Sequence, residues 1–494
     1  MTAARIVFLS ANNNALDDAR LLRQVDAAGQ FGHQAIAIGT KSWGEDEEHT
    51  VPGGRVIVKR LSARFGGRGV TARLAALGRA LAPYGLKASP GEARALAAFL
   101  ARDAAQGGGS PAARLARRTH SLAIRALVKA RQTARRRGGA DRAGPAYGQA
   151  ERRERDRARA LAFYRRCPAA ARWRIVTPEH IDEELAIGPL LDRLAPDIIH
   201  VHDVYLMGVA AAAQARARAQ GRRVQLVYDA REFVRGLAVT PPRRVAAQAN
   251  LEREFIGRFE RVITVSESLA DLLVAEHRLT RRPDLILNAP VVSPRRPGTP
   301  DIREAAGVPA EAPLMIYGGG VNPARGVQTA IAALADLPAA HLAVVIRHTR
   351  WMPHELLELA RGRGVADRLH LVPFVDHDQV AAYFESADLG LSPLLHTINH
   401  DVALTNKFCE YLQAGLPIVT SDTPEQARLV TELDLGAVHR AGDAADLARA
   451  AAETFDRLAE LKARIAGDSE LRHRFSWAAQ VPVLERVYRE VTAR

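Results

Sequence analysis

The sequence predicts an α/β protein made of two consecutive doubly wound domains, and three observations predict it. Short, nearly all-apolar runs alternate with helical stretches along most of the 494 residues. That alternation is the pattern of parallel strands covered on both faces. The rhythm occurs twice, and a Pro-rich stretch from Asn288-Ala289-Pro290 to Pro300 separates the two series. The chain is also long enough for two or three domains, each with a core of its own. With 47% hydrophobic and 25% charged residues, the composition excludes disordered, collagen-like and disulfide-scaffold chains.

In the first series an apolar run, 5–10, leads into a helix over about 16–31. Further runs follow at 34–39 and 56–58. After an atypical basic stretch come a helix near 181–194, a strand over 197–202, a helix over 209–220, and extended runs at 224–228 and 261–265. The second series places strands at 313–317, 342–346, 369–373, 389–392 and 418–421. The expected domains are 1–290 and 300–470. Residues 471–494 are expected to form a C-terminal helix that packs back toward the first domain. Ligands of such sheets bind outside the carboxyl ends of the strands, so the loops after the strands are where chemistry is sought.

The formal charge is +14, and one segment supplies it. Residues 55–175 carry 29 Lys and Arg against 6 Asp and Glu, and the rest of the chain is net negative. Leucines at helical spacing, Gly107-Gly108-Gly109 and Gly138-Gly139 make this segment, about 60–175, a helical insertion broken by loops. Such a patch suits an anionic membrane surface, or it is a solvated charged face. No zinc spacing or RNA-binding signature accompanies it, so nucleic acid is not expected as a partner. Cys167 and Cys409 lie far apart in unlike contexts, which fits a reducing compartment and not a CxxC site. The apolar run at 6–9 is too short for a signal-peptide core, and nothing approaches ~18 consecutive apolar residues. The expected location is the cytoplasm, with a peripheral position at the inner face of the membrane.

Two strand-end loops carry candidate chemistry. In the first, Gly318, Gly319 and Gly320 follow a strand directly, and Asn322, Arg325 and a helix start follow them. Glycines let a ligand approach the backbone, a helix start offers free N–H groups, and Arg325 adds a fixed charge. The combination suits a pyrophosphate; the alternative is a plain strand–helix turn. The spacing fits neither a P-loop nor GxGxxG, because position 323 is Pro. In the second loop, 399–417, Thr405 and Asn406 open a helix that carries Lys407 and Glu410. A carboxylate there can bond a ribose diol, and the lysine and helix start can face phosphate.

This constellation resembles the carboxyl-terminal domain of a retaining GT-B glycosyltransferase of family 4. The resemblance rests on Tyr317-Gly318-Gly319-Gly320 with Arg325-Gly326, on the stretch from Asn406-Lys407-Phe408-Cys409-Glu410 to Asp422, and on Gly442-Asp443. In the first domain it adds Gly32-His33, Asp197–Asp203, Tyr228-Asp229-Ala230-Arg231-Glu232, Val265–Leu269 and Leu287-Asn288-Ala289-Pro290. It covers most of the chain outside about 60–175. The resemblance implies a transferase that moves a sugar from a nucleotide-diphosphate sugar to a glycan or lipid-linked acceptor, with retention of configuration. It further implies that Arg325 contacts the diphosphate, that Glu410 holds the ribose, and that His202 reaches the transferred sugar. Two positions depart from the pattern. A Glu expected eight residues before Glu410 is Val402, with Asp401 beside it as a substitute. A cation expected after the first glycines is absent at Gly319 and Gly320.

Catalytic roles are therefore expected for His202, Arg325 and Asp401. His200 and His202 are two apart on one strand and share a face, with His202 nearer the carboxyl end. Asp229 and Glu232 end another strand at the same rim as candidate acceptor contacts, with a structural ion pair as the alternative. Asn12 and Asn13 follow the first strand and suit acceptor hydroxyls, or simply a turn. Arg347 and His348 are further candidates near the nucleotide. No DxD-plus-His or HExxH spacing occurs, so neither metal nor other cofactor is expected; arginine and helix dipoles carry that charge instead. Two alternatives stay open: a nucleotide-sugar epimerase or phosphorylase on the same architecture, and a non-catalytic module scaffolding a membrane-associated assembly.

Overall fold

The computed structural model describes residues 3–11, 15–41, 44–61, 146–238, 240–346 and 352–493. The chain divides into two units, Met1–Ser62 with Pro168–Arg494, and Ala63–Cys167. The described part of the second unit is one Arg-rich helix, Ala146–Arg166. The remainder of the expected basic insertion lies outside the described residues, as do Asn12, Asn13, Arg347 and His348.

The first unit holds two sheets. Strands β1 (Arg5–Ser10), β2 (Gln34–Lys41), β3 (Glu47–Val51), β4 (Gly54–Arg60), β5 (Ile198–His202), β6 (Gln225–Ala230), β7 (Arg261–Thr264) and β8 (Asp284–Leu285) pair in the order β3-β4-β2-β1-β5-β6-β7-β8. The second sheet contains β9 (Leu314–Gly318), β10 (His341–Ile346), β11 (Leu369–Pro373), β12 (Leu389–Ser392), β13 (Ile418–Ser421) and β14 (Gly436–His439), in the order β11-β10-β9-β12-β13-β14. Apart from the β3–β4 hairpin, every pairing is parallel. The strands are apolar because both faces are covered: β1, β5, β6 and β9 have almost no exposed residue.

In each sheet the strand order reverses at one point, between β1 and β5 and between β9 and β12. At such a switch point the crossover helices leave in opposite directions and open a crevice. The loops bordering the two crevices are those after β1 and β5 in the N-terminal lobe, and those after β9 and β12 in the C-terminal lobe.

Three elements differ from the sequence reading. The helix after β1 begins at Ala19, not at 16, because the Asp18 side chain accepts the Leu21 N–H and caps it there, while Ala15–Asp17 form a 3₁₀ turn. Strand β3 is polar and largely exposed, so it lacked the apolar signal. Strand β14 is an edge strand with only two buried residues.

The final helix, Trp477–Thr492, is remote in sequence from the core it completes. Trp477, Leu484, Val487, Tyr488 and Val491 pack with Ile6, Phe8, Leu21 and Val25 of the N-terminal lobe. Each fully buried aliphatic there contributes about 1.5–3 kcal/mol. Hydrogen bonds tether the helix to the stretch between the lobes, from the Trp477 N–H to Pro290 O and from the Leu287 N–H to Gln480 Oε1, both 2.9 Å.

Candidate active site

The loop after β9 turns sharply. Gly319 has φ +131° and Gly326 φ +72°, and a Cβ at Gly326 would lie 1.6 Å from Pro393 O. Only glycine fits that contact, which zips the β9 loop against the β12 loop. The Leu395 N–H seals the zip on Ala324 O at 2.9 Å. The Tyr411 hydroxyl accepts the Gly318 N–H at 3.0 Å and lies 3.1 Å from Leu391 O, tying both strand ends to one buried phenol. Tyr317 Oη donates to Gly320 O at 2.8 Å and fixes the glycine turn. Asn322, expected at the ligand, uses its side-chain oxygen to cap the following turn at Ala324 N–H.

Two cations face this turn. Lys407 sits in the first turn of the helix Asn406–Gln413. It is buried, with its ammonium over the Tyr317 ring at 4.6 Å. Arg325 is half-buried. Among the described residues, neither has a carboxylate within ion-pair distance. Burial and then the Arg325 charge press Lys407 down to about 7. Glu410, one turn further along, is pushed up to about 7 by desolvation, against the pull of Arg23 and Lys407. Thr405, the residue before the helix, bonds Gln426 Oε1 at 3.2 Å, and Asn406 is exposed.

Arg23 was missed by sequence reasoning. It sits on the helix Ala19–Gln30, bonds Asn288 Oδ1 at 2.6 Å and lies over the Trp477 ring, close enough to Glu410 for each to perturb the other. Only its place on the buried side of an amphipathic helix marked it beforehand.

The N-terminal switch point is built differently. His202 ends β5 with no exposed surface, and its ring lies 4.9 Å from that of His200. Asp229 ends β6, also fully buried, and accepts from Arg20 Nε and Nη2 at 2.7 and 2.9 Å and from Gln24 at 2.9 Å. These contacts hold the Asp229 carboxyl far below the usual carboxylate range, burial notwithstanding. The acceptor contact expected of Asp229 is therefore corrected: both of its oxygens are already engaged out of reach of solvent, and its partner is Arg20, not the neighbouring Arg231. Arg231 instead donates to Asp18 Oδ2 at 2.8 Å and to His202 Nδ1. A guanidinium has no acceptor to offer, so His202 Nδ1 must carry a lone pair and Nε2 the proton. Burial and Arg231 drive His202 well below its ordinary pKa, which keeps it neutral. Among the described residues its Nε2 is buried without a hydrogen-bond partner. Asp203, next in sequence, holds φ +70°, a strained conformation for a non-glycine residue. Glu232 stands exposed at the rim; desolvation and Asp203 raise it, while Arg325 of the other lobe opposes the shift.

His200, His202 and Asp229 bring ligand-type atoms within 4.8 Å of one another. His200 Nδ1 is taken by the Tyr488 hydroxyl at 2.8 Å, His202 Nδ1 by Arg231, and the Asp229 oxygens by Arg20 and Gln24, while the Nε2 atoms of both histidines have no partner among the described residues. With two guanidiniums beside it, this donor set suits a compensated charge network better than a divalent cation.

The span after β12 joins the lobes. Asn399 accepts the Phe233 N–H at 2.7 Å and donates to Phe233 O at 3.1 Å. Ser266 donates to Val402 O and Ser268 to Glu425. Asp401 lies in the short helix Ile398–Asp401 and pairs with His396 at 2.7 Å.

Comparison with known proteins bears on the family and the fold. The family described as "Glycosyl transferases group 1" matches residues 312–457, and "Glycosyltransferase Family 4" matches 112–289. The chain is a GT-B-fold protein related to glycosyltransferase family 4. Among curated relatives of this GT-B chain, the D-inositol 3-phosphate glycosyltransferase of Mycolicibacterium smegmatis is 26% identical over 254 residues, 50% of the chain and 56% of that protein. The protein of the same name from Geodermatophilus obscurus is 26% identical over 311 residues, 59% of the chain and 66% of that protein. The chain thus spans little more than half to two thirds of these two relatives. Among solved structures, sucrose-phosphate synthase from Thermosynechococcus elongatus superposes with a TM-score of 0.63 at 16% identity, covering 99% of both chains. Anabaena HepE in complex with UDP and glucose superposes at 0.56 and 15% identity, covering 99% and 100%. At these identities the superpositions establish the fold. Among the described residues, no helix is long and apolar enough to cross a membrane.

Proposed function

We propose that the protein transfers a sugar from a nucleotide-diphosphate sugar to a glycan or lipid-linked acceptor, with retention of anomeric configuration. One observation carries the reading: Arg325 and Lys407 converge on a glycine turn at a switch point with no carboxylate to neutralise them among the described residues. Burying a cation without a partner is costly, so the arrangement favours a ligand that supplies the negative charge. A diphosphate fits it in charge and in position. The same cations then stabilise the departing diphosphate as the glycosidic bond breaks, an electrostatic task that usually dominates such catalysis.

In this reading Glu410 accepts from ribose hydroxyls. The neutral His202 offers a buried N–H at the opposite lobe, and Asp401 offers a carboxylate between the two. The two cations take the place of a metal in this scheme, so activity is expected to survive a chelator. The lipid-linked acceptor and the anionic membrane surface are inferred from the charge of residues 55–175 alone, and the peripheral cytoplasmic location follows from the same inference.

The test is a panel of UDP-, GDP- and ADP-sugars offered to the purified full chain, with calorimetric binding and nucleotide release as readouts, with and without EDTA. Binding of one base class at micromolar to millimolar Kd and release stimulated by an acceptor are expected. Absence of binding across the panel at millimolar concentration would overturn the reading and favour a scaffold.

A further inference from the structure

Three strand-end loops of the C-terminal lobe meet at one exposed histidine. His396 Nδ1 lies 2.7 Å from Asp401 Oδ1, and its Nε2 lies 3.0 Å from Asp422 Oδ1. Asp422 follows β13, and its Oδ1 also accepts the Ala441 N–H, just beyond β14, at 2.9 Å. Both partners of the ring are carboxylate oxygens, so both ring nitrogens must donate. Only the imidazolium can do that.

The span His396 controls lies between the two halves of the site. At its start the Leu395 N–H bonds Ala324 O, beside Arg325, and Leu395 O accepts from His400 Nδ1 at 2.8 Å. Thr397 caps the helix Ile398–Asp401 through the His400 N–H. At its tip Asn399 grips the Phe233 backbone, and Ile398 and Asn399 press against Gly236, where a Cβ would stand 3.1 Å from each. One end thus touches the diphosphate turn and the other touches the acceptor lobe. Asp401 uses Oδ1 on His396, and its Oδ2 has no protein partner among the described residues.

We propose that His396 is a positioning residue for the sugar end of the donor: by donating to Asp401 and Asp422 together, it locks residues 394–402 so that Asp401 Oδ2 accepts from a hydroxyl of the transferred sugar. The inference rests on the donor-site reading above and deepens it, because it separates recognition of the sugar from recognition of the nucleotide. It also makes sugar recognition sensitive to pH. Among the described residues the titratable groups facing His396 are Asp401 and Asp422, and Asp401 first, then Asp422, raise it above its ordinary pKa. A raised histidine keeps its clamp below the ordinary value and loses it as pH climbs through the raised one.

The experiment compares two affinities in the full chain by calorimetry. One is for a nucleoside diphosphate and the other for its sugar conjugate, taken as whichever pair binds in the panel: UDP with UDP-glucose, GDP with GDP-mannose or ADP with ADP-glucose. The ratio cancels the Lys407 titration, which acts on both. His396→Ala is expected to leave the bare diphosphate within about twofold and to weaken the sugar conjugate about tenfold at neutral pH, the size of one charge-assisted hydrogen bond. Raising the pH to about 9 should bring the wild-type ratio to that of His396→Ala, whose own ratio stays flat. Asp422→Asn, which keeps the shape but removes one charge, should lose part of the ratio. Equal weakening of both ligands, or of neither, overturns the proposal while leaving the donor site standing. Binding of neither ligand by the wild-type chain removes the donor site, and the proposal with it.

Discussion

The two switch points handle their charges in opposite ways. In the N-terminal lobe Arg20, Asp229, Arg231 and Asp18 form a closed set in which each charge has a partner, and His202 is held neutral among them. In the C-terminal lobe Arg325 and Lys407 lie near each other with no neutralising partner among the described residues. A closed set rigidifies its surroundings, and its members are hard to remove singly. An open set is unfavourable by itself and awaits charge from outside. The contrast teaches that perturbation of a titratable group does not by itself distinguish scaffold from binding site; the presence or absence of a protein counter-charge does.

The comparison is broken most forcefully at Asp229. Asp229→Ala leaves Arg20 buried and unpaired, and should destabilise the protein by about 3–5 kcal/mol, read from urea unfolding. The folded remainder should bind nucleotide with its original affinity. A loss of nucleotide affinity at unchanged stability would move Asp229 into the ligand site. Next in size, Arg325→Ala should weaken nucleotide-sugar binding by about 2–3 kcal/mol, or roughly 30- to 150-fold, at an unchanged melting temperature. Unchanged binding would place the diphosphate elsewhere. The smallest effect concerns pH. Lys407, pressed down to about 7, loses its proton above that pH in the ligand-free protein, and a bound diphosphate restores it. Binding therefore takes up a proton, and affinity should fall with rising pH above about 7 by at most tenfold per unit. Calorimetry in buffers of different ionisation enthalpy detects the uptake directly, and a flat profile from pH 6 to 9 would show Lys407 already charged.

Strands such as 389–392 and 418–421 were legible to the residue, because a doubly covered parallel strand has no polar face to blur its ends. Strand β3 was not, since a hairpin at a sheet edge presents mostly polar residues. The candidate phosphate-binding loops stood out because glycine, arginine and lysine cluster within short stretches of sequence. Arg20, Arg23 and His396 were not. Arg20 meets Asp229 across 209 residues and Arg23 meets Asn288 across 265, and local patterns hold no record of such pairings. His396 looks like any loop histidine until β13 brings Asp422 to its other nitrogen.

The helix Trp477–Thr492 bears on synthesis of the chain. The core begun by Ile6 and Phe8 is closed by Leu484, Tyr488 and Val491, so a nascent polypeptide reaches that closure only after residues 477–492 have left the ribosome. The C-terminal lobe draws its sheet from an unbroken stretch and is free to mature earlier. Until then, the first lobe stands with one wall open and apolar surface exposed, the kind of intermediate that chaperones recognise.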